Sequence, residues 1–73
     1  MFKYKIELDT MANIQKFVNI ATKLKGDIKL VDDNGYCVNG KSLLGAISTI
    51  EWDDLYCISD RDIAREIQEF IVD

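Results

Sequence analysis

Phe2, Tyr4, Ile6 and Leu8 alternate with Lys3, Lys5 and Glu7. A period of two with one apolar side predicts a half-buried strand at the start of the chain. The period then lengthens. Ile14, Phe17, Val18, Ala21 and Leu24 recur at steps of three and four, which is the stripe of an amphipathic helix. Thr10 is placed to cap it, and Gly26 to stop it. Ile28 and Leu30 point inward from a second strand over 27–31. Asp33-Asn34-Gly35 makes a hairpin turn, because Asn and Gly tolerate the positive φ it needs. A third strand returns over 36–38.

Ser42 is the expected N-cap of a short helix running to about Ile50, with Leu43, Leu44, Ile47 and Ile50 as its apolar positions. Trp52-Asp53-Asp54 turns the chain into a fourth strand over 55–58, with Tyr56 and Ile58 expected to face inward. Ser59 and Asp62 form a capping-box-like pair. Behind them Ile63, Ala64, Ile67, Phe70 and Ile71 predict a third helix. The order is β-α-β-β-α-β-α, with no internal repeat, linker or low-complexity stretch. An α+β domain with an antiparallel sheet and helices on one face fits that order.

Composition bounds this picture without changing it. Seventy-three residues make one domain, 1–73, with a small core. Hydrophobic residues are 48% and charged residues 30%, ordinary for a globular chain and too apolar for disorder. No apolar run approaches the ~20 residues that span a bilayer, and no targeting segment is readable. A cytoplasmic location is the expectation, with no membrane partner. The net charge of −4 makes nucleic acid a poor partner, since phosphate binding rests on clustered Lys and Arg.

Candidate chemistry is sparse. The chain has no histidine and two cysteines, Cys37 and Cys57, too few ligands for a metal site. Thiols are expected rather than a disulfide, and both cysteines read as small apolar strand residues. The acid pairs Asp32-Asp33 and Asp53-Asp54 and the Asp60/Asp62 pair are explained by turns and caps. Gly35-Tyr36-Cys37-Val38-Asn39-Gly40-Lys41-Ser42 satisfies the phosphate-loop spacing G-x-x-x-x-G-K-[ST]. That loop must be continuous between its glycines, whereas here a strand is expected between them. No cofactor is implied.

Val38-Asn39-Gly40-Lys41-Ser42-Leu43-Leu44-Gly45 resembles the regulatory-serine segment of the bacterial phosphocarrier HPr family. Ser48 fits the pattern just beyond it. Ala21-Thr22-Lys23 resembles the family's first helix ending, Asp27-Ile28-Lys29-Leu30 the strand that follows, and Asn34-Gly35 its hairpin. The resemblance implies an open-faced sandwich, βαββαβα, with a four-stranded antiparallel sheet and three helices on one face.

The departures are as informative as the match. The family carries phosphate on a histidine within Gly-Ile-His-Ala-Arg-Pro. Here that stretch reads Leu8-Asp9-Thr10-Met11-Ala12-Asn13. Thr10 occupies the acceptor position and Ala12 the position of an arginine whose fork would chelate a phosphoryl group. A threonine phosphate ester is too stable to pass the group onward. The resemblance therefore implies a non-catalytic module that has lost phosphohistidine transfer. Ser42 is its candidate phosphorylation switch, and Leu43, Leu44, Ile47, Met11 and Lys41 its partner-binding surface. The partners it implies are phosphotransferase-system enzymes, an HPr serine kinase or a transcription regulator. A phosphocarrier with another acceptor and a scaffold-only domain are the alternatives.

Overall fold

The computed structural model describes residues 1–72. Four strands, β1 (Phe2–Lys5), β2 (Ile28–Val31), β3 (Cys37–Asn39) and β4 (Tyr56–Ser59), pair antiparallel in the order β1-β4-β2-β3. Among the described residues there are two α-helices, α1 (Met11–Lys23) and α2 (Leu43–Ser48). The architecture is α+β.

Each strand divides its side chains between two faces. Ile28, Leu30, Cys57 and Ser59 are buried on the inner one. They share a core with Ile14, Phe17, Val18 and Ala21 of α1 and Ala46 of α2. Phe17 and Phe70 meet edge to face at 5.6 Å between ring centroids, a favoured arrangement for aromatic quadrupoles. Ile6 and Leu8 extend the inner face beyond β1 and are buried. Cys37 lies on the outer face and Cys57 in the core, so the sheet itself separates the two thiols.

Two expectations are corrected. In β4 the inward residues are Cys57 and Ser59, while Tyr56 and Ile58 are half-buried on the outer face. A one-residue change of phase exchanges every side chain between faces. The third helix does not form. From Ile63 onward the chain makes turns, then a single 3₁₀ turn over Gln68–Phe70. Its beginning is held by Tyr4: the phenol donates to Asp62 Oδ1 at 2.8 Å and accepts from the Ile63 N–H at 3.0 Å. Its end pairs with β1 and the residues just after it, through Glu7 N–H to Phe70 carbonyl and Val72 N–H to Lys5 carbonyl, both 2.9 Å. The edge strand needs partners for its backbone groups, and an extended chain end supplies them where a continuing helix would not.

The β2–β3 hairpin turns on Asp32, which is nearly buried. One carboxylate oxygen accepts from the Asn34 N–H at 3.0 Å and the Tyr36 N–H at 2.9 Å. Gly35 supplies the positive φ of 94°. Asp32→Ala leaves two backbone donors without an acceptor and is expected to lower stability by about 1–3 kcal/mol. Asp32→Asn keeps an acceptor oxygen and should lose less. Urea denaturation of both variants checks this order.

Candidate functional site

The positions singled out by sequence fall at the starts of α1 and α2, except Ile47 near the end of α2. Both starts follow the same local logic. An extended residue with a short hydroxyl precedes each helix and accepts from the third N–H beyond it. Thr10 Oγ1 accepts from Asn13 N–H at 3.1 Å. Ser42 Oγ accepts from Gly45 N–H at 3.2 Å. Each cap is worth about 1 kcal/mol.

Thr10, Met11 and Ala12 are exposed. Beside them a cleft of about 370 Å³ is lined by Leu8, Thr49, Ile50 and Trp52, together with Glu7, Asp9, Asp53, Asp54 and Lys5. The four carboxylates make this an unfavourable place for a phosphoryl group. Asp9 Oδ1 is also engaged, accepting from Asn13 Nδ2 at 3.1 Å.

Helix α2 is anchored by small residues. Ala46 is buried, and Thr49 just beyond it is buried with its hydroxyl on the Ala46 carbonyl at 2.7 Å. Gly45 lets the helix lie close to β3: a Cβ there would come within 3.2 Å of Val38 Cβ and 3.3 Å of the Asn39 carbonyl oxygen. With the helix seated on these small residues, its two leucines point away from the core: Leu44 is 82% exposed and Leu43 41%. Ile50, in the 3₁₀ turn that follows, is 51% exposed, and Met11, at the start of α1, 46%. Ile47 is partly buried against the core. Ser42 is half-buried.

Lys41 has a role within the fold. Its Nζ donates to the Leu24 carbonyl at 2.6 Å, and its backbone N–H donates to Asn39 Oδ1 at 2.9 Å. Leu24 is the C-cap of α1, so the ammonium satisfies a terminal carbonyl and complements the helix dipole. Lys41 ties the end of α1 to the start of α2. Such a contact, seventeen residues apart, leaves no local sequence signal.

The phosphate-loop spacing has no loop behind it. Cys37, Val38 and Asn39 pair with Val31, Leu30 and Lys29 of β2, and Gly40 N–H donates to the Ile28 carbonyl at 2.7 Å. The segment between the two glycines is sheet. No group of three or more metal-ligating side chains occurs among the described residues. No helix among them is long and apolar enough to cross a membrane.

Comparison with protein-family models, with curated proteins and with solved structures gives no match to this chain.

Proposed function

We propose that this chain is a divergent HPr-like domain acting as a non-catalytic, cytoplasmic protein-interaction module of the sugar phosphotransferase system, without phosphohistidine carrier activity. The sheet order β1-β4-β2-β3 with α1 and α2 sharing one core supports an open-faced sandwich of the HPr kind. The exposed apolar group around the start of α2, with Leu44 82% exposed, carries the interaction reading. One exposed leucine would be ordinary, but Leu43, Leu44, Ile50 and Met11 are exposed together, and grouped apolar exposure of this kind marks contact sites. The absence of histidine and the acidic cleft beside Thr10 both disfavour phosphoryl carriage.

The partner is a phosphotransferase-system enzyme or a transcription regulator, docking on Leu43, Leu44 and Met11. Ser42 is the switch on that surface. Phosphate on its Oγ would add about −2 charge beside Leu43 and Leu44 and would change which partner the surface accepts.

Two measurements test this. Leu44→Arg should leave stability within about 0.5 kcal/mol, as an exposed substitution does, and weaken binding to upstream phosphotransferase-system enzymes at least tenfold by calorimetry. Unchanged binding, or none by the native chain, removes the docking surface. Incubation with an HPr serine kinase and ATP should add one phosphate to the native chain and none to Ser42→Ala. No incorporation removes the switch and leaves the docking reading standing.

A further inference from the structure

The second face of the sheet is uncovered and has its own charge. The strand register places Lys3, Ile58, Lys29 and Asn39 in one outward row and Lys5, Tyr56, Val31 and Cys37 in the next. The three lysines, Asn39 and Cys37 are exposed, while Val31, Tyr56 and Ile58 are half-buried. None of these three apolar side chains packs against the core. The two rows hold three of the nine basic residues and no carboxylate, in a chain of net charge −4. Lys3 Nζ lies over the Tyr56 ring at 4.5 Å from its centroid, so the apolar strip is bordered by ammonium groups already drawn to it.

We propose that this face docks an acidic amphipathic segment of another protein, its apolar side chains on Ile58, Val31 and Tyr56 and its carboxylates on Lys3, Lys5 and Lys29. The surface is separate from the α2 surface and does not depend on it. Three observations select this occupant. The lysines flank an aliphatic centre: Ile58 sits between Lys3 and Lys29 across three strands. Tyr56 is the one aromatic ring of the two rows and Lys3 Nζ already lies over it, while Ile58 and Val31 offer nucleobases no flat surface, so the successive stacking on which single-strand binding depends is missing. A second copy would set lysine rows against lysine rows, and like charges facing each other are unfavourable. Acidic side chains border the band at its ends. Asp33, in the turn beyond β2, stands at one end and Asp27, directly before β2, at the other. They confine a negatively charged partner to the two central rows.

The probe is a fourteen-residue helical peptide with a leucine stripe flanked by glutamates, titrated into the full isotopically labelled chain and followed by amide shifts. Shifts should concentrate in β1, β4 and β2 and weaken with salt, as screened charges do. Lys3→Glu with Lys29→Glu should weaken binding at least tenfold, and Ile58→Ser severalfold, in folds verified by circular dichroism. The same peptide with lysines for glutamates should not bind. Absence of binding by the acidic peptide, shifts centred on α2, preferential binding of an oligothymidylate, or concentration-dependent self-association through this face would each overturn the proposal.

Discussion

Phe17→Ala is expected to lower the stability of the domain by about 3–5 kcal/mol. Phe17 is fully buried at the centre of α1, and its ring meets Phe70 edge to face. Truncation loses the transfer free energy of the ring, leaves a cavity beneath the sheet and removes the aromatic pair. Phe70 also presents its carbonyl to the Glu7 N–H, so a loosened Phe70 releases the chain end from the edge strand. At about 0.05–0.15 kcal/mol per residue, a domain this size has a total stability comparable with that loss. The variant should be largely unfolded at 37 °C and show an early urea midpoint at 25 °C. Leu44→Ala is the control: it removes a similar volume of apolar side chain from the surface and should move the midpoint little. Equal losses for the two variants would contradict the division between core and exposed apolar residues on which the α2 surface depends.

That division was only partly legible in the sequence. Thr10 and Ser42 were readable as caps because a cap needs only three or four consecutive residues. The stripe of α1 was readable because thirteen residues give a clear period. In β4 the signal failed for a physical reason. Leu55, Tyr56, Cys57 and Ile58 are all apolar, so alternation cannot show which set faces inward. The strand lies between β1 and β2, and its neighbours set the phase. The end of the chain failed differently. Ile63, Ile67 and Phe70 do keep helical spacing and are buried, but pairing of Ile6 with Ile71 and the Tyr4–Asp62 clasp override the local preference. The contact of Lys41 with the Leu24 carbonyl was also invisible in the sequence, because it joins residues far apart along the chain. The exposed leucines of α2 lay between these cases. Too many apolar positions for one short helix implied an exposed side, yet only the anchoring by Ala46 and Thr49 identified Leu44 as its centre.

Alkaline pH should destabilise the native chain far more than a Cys57→Ala variant. Burial pushes the Cys57 thiol up to about 12 from an ordinary 9.0, because a thiolate in the core would lose its hydration. Below pH 9 the neutral thiol is the common form of both folded and unfolded chains, and the stabilisation is complete. Between pH 9 and about 12 the unfolded chain releases a proton that the folded core retains, so stability falls with rising pH. The slope approaches 1.4 kcal/mol per pH unit, about 4 kcal/mol over that interval. Tyr4 acts in the same direction: burial, then its hydrogen bond to Asp62, raise its phenol above 10.0. Cys57→Ala removes the thiol contribution and keeps that of Tyr4, so its stability curve should be flatter above pH 9 though lower overall from the small cavity. Thiol titration gives an independent reading. At pH 8 the exposed Cys37 should react with a disulfide reagent at once, whereas Cys57, with about one part in 10⁴ as thiolate, should react only as the domain opens. Two rapidly reacting thiols in the folded protein, or parallel alkaline slopes for the native chain and Cys57→Ala, would place Cys57 outside the core and overturn the inward phase of β4.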